Sequence, residues 1–126
     1  MKKNTIFFAS LIFISLFISC RKDKEAPTLS LLSPFEAAQV TAGTALSIKG
    51  TVADNENLHE LSIVVNKSPS GAQSFASSPT VHEMKSYDFD LKWTTTPGDT
   101  GVYLLTITVI DHNDNINVRK INFTVK

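Results

Sequence analysis

Cysteine is almost absent from this chain, because Cys20 is the single cysteine among 126 residues. No other thiol remains for a disulfide, a thiolate metal site or a cysteine nucleophile, so packing alone must hold the fold together. The sequence also lacks a G-x-S-x-G elbow, an H-E-x-x-H helix and a phosphate-binding glycine loop. These absences predict a protein that is not an enzyme.

An excess of basic residues is missing as well. The sequence has 12 Lys and Arg residues against 12 Asp and Glu residues. Without Lys2 and Lys3, which belong to the N-terminal segment described next, 10 basic residues face 12 acidic ones. Binding to the phosphates of nucleic acid needs a clustered basic surface. The charge balance therefore argues against nucleic acid as a partner.

The N-terminal residues have the pattern of a secretory signal: Lys2 and Lys3 are basic, and residues 6–18 form an apolar run too short to span a bilayer comfortably. We therefore expect residues 1–19 to be a signal peptide. The stretch LFISC, ending at Cys20, resembles a bacterial lipobox, although Phe17 stands where leucine is usual. The resemblance implies cleavage before Cys20 and a diacylglycerol on its thiol, which makes a membrane the partner. An ordinary secretory signal with an incidental cysteine is the alternative.

A short charged segment follows the cysteine. We expect residues 20–26 to be the lipidated cysteine and a charged tether, which spans roughly 20–25 Å when fully extended. Lys22 and Asp23 after the cysteine resemble the surface-export signal of lipoproteins in some Gram-negative bacteria. Together these resemblances imply a lipid-anchored protein of the bacterial cell envelope, at the outer membrane. Whether it faces the periplasm or the cell surface stays open.

Residues 27–126 have the pattern of an all-β domain. Residues 101–126 predict a β-hairpin whose first strand alternates β-branched and aromatic side chains, and such a hairpin needs a second sheet to cover it. In the preceding strand, Phe89 and Trp93 are expected to face the core. Gly50 predicts a bulge or a close approach of another backbone. The other strands are predicted at residues 28–33, 44–54, 58–66, 73–76 and 87–94.

Three stretches of this domain, APTLSLLSP, ADNENL and GVYLLTITVIDHNDN, resemble the immunoglobulin-like domains of small bacterial lipoproteins of unassigned function. The resemblance implies a single immunoglobulin-like, Greek-key β-sandwich of about seven strands over residues 27–126. Tyr103 resembles the tyrosine corner of such domains, in which the phenol bonds to nearby backbone. The resemblance specifies the fold much better than the function.

The directions of the predicted strands bring polar loops to the end of the domain where the chain enters. Carboxylate and amide oxygens suit calcium, and DHNDN also resembles the DxNDN calcium motif of cadherins. The calcium ligands predicted there are Asp54, Glu56, Asp111, Asn113 and Asp114. Two alternatives remain: these side chains cap turns by bonding their own backbone, or the three histidines of the same end, His59, His82 and His112, bind zinc or another transition metal.

Two functions are therefore open. The first is a non-catalytic binding or accessory module of the envelope, which recognises a protein or glycan through the loop at the opposite end, with Ser70, Gln73 and Phe75 as contact residues. The second is a structural spacer domain stabilised by a weak calcium site beside the tether.

Overall fold

The computed structural model describes residues 21–126, which form two β-sheets and, within that range, no helix. The predicted signal peptide of residues 1–19 and Cys20 lie outside the described residues. Within the described range no helix is long and apolar enough to cross a membrane. The strands are β1 (Thr28–Ser33), β2 (Gln39–Val40), β3 (Ala45–Ala53), β4 (Leu58–Ser68), β5 (Gln73–Ser77), β6 (Ser86–Thr94), β7 (Gly101–Asp111) and β8 (Ile116–Val125).

The two sheets are built from three and five strands, in the orders β1-β3-β6 and β2-β8-β7-β4-β5. All pairs are antiparallel except β2 with β8, which is parallel. Apart from β4 to β5 and β7 to β8, which are neighbours in the five-stranded sheet, every connection passes from one sheet to the other, as in immunoglobulin-like sandwiches. The predicted fold is confirmed, with eight strands instead of about seven. The additional strand is the two-residue β2, inside what the sequence indicated to be a connection.

The core lies between the inner faces of the two sheets. On β7 the inward residues Tyr103, Leu105, Ile107 and Val109 are buried, as their alternation predicts. The opposite face of β7 is also rich in apolar residues but is only partly covered, and the side chain of Val102 is 45% exposed. That face is the outside of the five-stranded sheet. Although β7 carries apolar residues on both faces, only its inward face is fully shielded from water.

Three aromatic rings join the sheets at one end of the core. Trp93 of β6 packs edge-to-face on Tyr103 of β7, with ring centroids 5.1 Å apart, and Phe123 of β8 lies parallel to Tyr103 at 5.8 Å. The hydroxyl of Tyr103 donates a hydrogen bond of 3.0 Å to the carbonyl oxygen of Asp99, four residues upstream. This is the tyrosine corner that the sequence predicted, and it fixes the connection from β6 to the start of β7.

Gly50 is the position where β1 approaches β3 most closely. A Cβ atom at Gly50 would overlap the carbonyl oxygen of Ser30, and it would lie 2.7 Å from Cζ of Phe89. The register of β1 against β3 shifts nearby, between Leu31 and Ser33. The predicted close approach of backbone is therefore confirmed, and Gly50 is required because any side chain would push β1 away from its partner.

Candidate functional site

The connections at one end of the sandwich, which we call the tether end, converge as the strand directions predict. They are residues 54–57 after β3, residues 81–85 before β6 and residues 112–115 after β7. Backbone hydrogen bonds tie them together: Asp54 N–H donates to the carbonyl oxygen of Lys85 at 2.9 Å, and His112 N–H to that of Asn57 at 3.2 Å. The tether, residues 21–26, lies at the same end, because β1 begins opposite Ala53.

Asp111, the last residue of β7, organises the turn into β8. Its Oδ1 accepts hydrogen bonds from the backbone N–H groups of Asn113 (2.7 Å) and Asn115 (2.8 Å), and its Oδ2 accepts one from Nδ2 of Asn115 (2.6 Å). The residue is buried, with 1% of its surface exposed. Burial by itself raises the pKa of this carboxyl, but the hydrogen bonds from Asn115 and Asn113 outweigh it and hold the pKa below its usual value. Asp111 is therefore a charged turn cap.

Two more carboxylates approach Asp111. Asp23 of the tether and Asp54 each bring an oxygen to within 4.8 Å of the others, and we call the three residues the carboxylate cluster. One oxygen of Asp54 accepts the N–H of Glu56 at 2.9 Å. The other oxygen of Asp54, and Oδ2 of Asp23, are buried without a hydrogen-bond partner among the described residues. Buried carboxylate oxygens without a partner are costly unless a cation or a donor reaches them.

The other predicted calcium ligands lie nearby but make different contacts. Glu56 Oε2 accepts a hydrogen bond from Nδ2 of Asn113 at 3.0 Å, which leaves Oε1 of Glu56 and Oδ1 of Asn113 outside this contact. Asp114 points outward: its side chain is 87% exposed, and Oδ2 lies 3.8 Å from Nζ of Lys22. The described geometry thus brings Asp54 and Asp111 together, places Glu56 and Asn113 beside them, and leaves Asp114 outside.

Asp23 is the member of the cluster that the sequence did not suggest. The tether is docked on the domain, because Nδ2 of Asn115 donates to the carbonyl oxygen of Asp23 at 3.2 Å, and Nδ2 of Asn117 donates to that of Pro27 at 2.8 Å. Composition indicated only a solvated spacer here. The pairing of Thr28 with Ala53 indicates that the tether starts near the end of β3, but the contacts of Asn115 and Asn117 decide where Asp23 lies.

The predicted binding loop lies at the opposite end, which we call the far end. Ser70 is exposed in the turn after β4, and Gln73 is exposed at the start of β5. Phe75 is half-buried and packs against the core instead of facing solvent. A cavity of about 150 Å³ opens beside this turn, lined by Asn66, Lys67, Ser68, Pro69, Gly71 and Leu104.

Comparison with known proteins agrees with this architecture. The family model described as bacterial Ig domain matches residues 27–109. No curated protein matches the chain by sequence.

Solved structures share the fold at low sequence identity. Fibronectin(III)-like modules of CbhA from Clostridium thermocellum align with a TM-score of 0.52 and 16% identity over 80% of this chain and 47% of that one. OgpA from Akkermansia muciniphila aligns with a TM-score of 0.55 and 15% identity, over 87% of this chain and 31% of the OgpA chain. The CARDB domain of PF1109 from Pyrococcus furiosus was solved in complex with di-metal ions. It aligns with a TM-score of 0.50 and 18% identity, over 81% of this chain and 90% of the CARDB chain. This chain therefore spans less than half of the CbhA and OgpA chains, and the likeness is one of fold.

Proposed function

The chain belongs to the bacterial Ig domain family, and from this premise we propose that it is a non-catalytic binding or accessory module of the bacterial cell envelope. A lipid on Cys20 anchors it to the outer membrane, and its sandwich presents a binding surface to a protein or glycan partner. Immunoglobulin-like domains are generally binding or accessory modules, which supports this class over an enzyme.

The observation that carries the proposal is the polarity of the domain. The docked tether occupies one end, at Asp23 and Pro27. Strand β4 then runs its 11 residues to the far end, a distance of about 33 Å at roughly 3.3 Å per residue. An anchor before residue 21 thus holds the tether end towards the bilayer and turns the far end away from it, where a partner can reach it.

The far end has features that suit a partner. The turn after β4 is exposed at Ser70, and residues of this turn, among them Pro69 and Gly71, line the cavity beside it. Strand β5 pairs only with β4 among the described strands, so its outer edge offers backbone donors and acceptors to an extended peptide. A protein partner that adds a strand to β5 fits this edge best.

The test is site-specific photo-crosslinking in the native bacterium. We expect a photoreactive residue at Ser70 to form a discrete crosslinked product, and one at Glu60, an exposed position of β4 near the tether end, to form none. A Cys20→Ser variant should lose acyl labelling, leave the membrane fraction and lose the Ser70 product. Equal products at both positions would contradict far-end binding, and unchanged acylation in Cys20→Ser would contradict the anchor.

A second function is favoured by a different observation, the two buried and unpartnered oxygens of Asp23 and Asp54 beside Asp111. We propose as the alternative a spacer domain whose carboxylate cluster binds one calcium ion. Asp23 would supply a ligand in addition to the predicted Asp54, Glu56, Asp111 and Asn113, while the exposed side chain of Asp114 would not take part. Because the tether contributes Asp23, calcium would fasten the tether to the domain.

We expect calcium to raise the thermal midpoint of the chain. An open extracellular site binds at about 10⁻⁴–10⁻³ M, and a hundredfold excess over the dissociation constant adds about 2.7 kcal/mol to the free energy of unfolding. The measurement is a melt in calcium, magnesium or chelator. Asp54→Asn should abolish the rise, and Asp114→Asn should keep it. If calcium does not raise the thermal midpoint of the parent, or raises that of Asp54→Asn equally, the carboxylates only cap turns and bind no calcium.

A further inference from the structure

All three histidines of the chain meet on the surface of the tether end. His59 is the second residue of β4, His82 lies before β6, and His112 follows β7. Nδ1 of His59 is 3.2 Å from Nδ1 of His82. The ring centroids are 5.1 Å, 5.0 Å and 4.6 Å apart, and one nitrogen from each ring lies within 4.8 Å of the other two. We call these three residues the histidine cluster.

The backbone that carries these rings is firmly held. His59 follows Leu58, which is fully buried. The N–H of Leu58 donates to the carbonyl oxygen of Met84 at 2.7 Å, and its carbonyl oxygen accepts the N–H of Glu83 at 3.0 Å. Val81, which precedes His82, is also buried in the core.

The third ring is fixed to the same point. The N–H of His112 donates to the carbonyl oxygen of Asn57, the residue before Leu58. The connection before β6 and the turn after β7 are thus both pinned to residues 57–58, next to His59 at the start of β4, and each of the three segments carries one imidazole. A site whose ligands are placed by buried backbone before a metal arrives loses little entropy on binding it.

One pair of rings already has the spacing of two ligands to one metal ion, and a nitrogen of the third ring lies within 4.8 Å of both. Two nitrogens bound to a tetrahedral zinc at about 2.0–2.1 Å lie about 3.3 Å from each other, and the nitrogens of His59 and His82 are 3.2 Å apart. All three side chains are exposed, so water can occupy the remaining coordination position. Zinc bound by three imidazoles and one water is a common open arrangement.

An outer carboxylate completes the arrangement. Nε2 of His82 lies 3.9 Å from Oε1 of Glu83. When Nδ1 of a histidine binds metal, its other ring nitrogen carries a proton, and a carboxylate facing that proton orients the ring and raises the basicity of the ligand. Glu83 would take this role on His82 by moving closer, since 3.9 Å is longer than a hydrogen bond.

We propose that the histidine cluster is a binding site for one zinc ion. It is separate from the carboxylate cluster in ligand chemistry, because imidazole nitrogens select zinc and related transition ions whereas carboxylate oxygens select calcium. The site is independent of the anchoring and far-end binding proposed above. Its occupant cross-links β4, the connection before β6 and the turn after β7.

The test uses the full chain in detergent micelles, purified without affinity-tag histidines. Zinc is titrated in competition with a chromophoric chelator. We expect one zinc per chain. His59→Ala and His112→Ala should each weaken binding at least as much as the 10–100-fold loss caused by changes to outer-sphere partners, and Glu83→Gln should weaken it by about 10-fold.

Matched controls separate this site from its neighbours. Glu60→Gln alters the exposed residue beside His59, and Asp54→Asn alters the carboxylate cluster; both should bind zinc as the parent does. Cobalt(II), whose visible absorption reports coordination geometry, should give a tetrahedral spectrum in the parent and lose it in His112→Ala. The histidines are exposed, so these variants should melt close to the parent without metal.

Two results would overturn the proposal. If the parent retains no zinc against the chelator, the three rings pack only on one another. If His59→Ala and His112→Ala bind zinc as tightly as the parent does, or if Asp54→Asn alone loses it, the ion sits in the carboxylate cluster and the histidines are not its ligands.

Discussion

Replacing Trp93 by Ala is expected to lower the free energy of unfolding by about 3–5 kcal/mol, the usual cost of truncating a buried aromatic side chain. Trp93 is 7% exposed and belongs to the three-stranded sheet, while the rings that it contacts, Tyr103 and Phe123, belong to the five-stranded sheet. Its loss therefore opens a cavity between the sheets and removes an edge-to-face contact with the residue of the tyrosine corner. Because domains are stable by only about 5–15 kcal/mol, this is a large fraction of the total stability.

The measurement is chemical denaturation followed by circular dichroism, because Trp93 is the single tryptophan and the variant loses the fluorescence signal. Lys92→Ala is the matched control: the adjacent side chain is exposed on the other face of β6, and its loss should change stability by less than about 0.5 kcal/mol. A Trp93→Ala domain that unfolds near the parent's midpoint would show that the two sheets do not depend on this ring.

Asp111→Ala is expected to lower the free energy of unfolding by about 2–4 kcal/mol in the presence of chelator. The change leaves the N–H groups of Asn113 and Asn115, and Nδ2 of Asn115, without their charged acceptor, and a hydrogen bond to a charged group contributes about 1.5–3 kcal/mol. Relief of repulsion from Asp23 and Asp54 offsets part of the loss. The measurement is again denaturant unfolding, with Asp114→Asn as the control in the same turn, since that side chain is exposed.

The pH dependence gives an independent check on Asp111. Its pKa is lower in the folded chain than its ordinary value, so the unfolded chain takes up a proton first as the pH falls. The stability contributed by this carboxylate is therefore present at neutral pH and is lost as the pH drops below about 4 towards the lowered pKa. Asp111→Ala should lack this part of the acid destabilisation. Parallel acid profiles for parent and variant would contradict the role of Asp111 as a charged cap.

The sequence was sufficient to predict those strands in which one face is buried. In β6 the side chains alternate between core and solvent, so Phe89 and Trp93 were placed correctly by their period alone. Strand β2 was missed because two residues in parallel pairing, Gln39 and Val40, have no period to detect. Its partner is the last strand of the chain, and a pairing over so long a separation leaves no local signal.

The candidate site was likewise predicted only in part. Strand directions were enough to predict which loops meet, and they brought Asp54, Asp111 and the histidines to one end. They could not say where a side chain points within a turn. Asp114 has a backbone φ of 66° and projects into solvent, although its position in the motif suggested a ligand. The position of Asp23 depends on docking of the tether. Asn115 holds the carbonyl oxygen of Asp23, 92 residues earlier in the sequence, and Asn117 holds that of Pro27, 90 residues earlier.

The direction of β1 has a mechanical consequence. This strand starts at the tether end, at Thr28, and runs towards the far end along β3. A pull between the proposed anchor and the proposed partner at the far end would therefore act along β1, and its backbone hydrogen bonds to β3 would carry the load together instead of opening one after another. Resistance to such a pull is set by the rate of unfolding and not by the equilibrium stability. With the anchor and partner proposed above, the path of β1 would make the domain a load-bearing link between them.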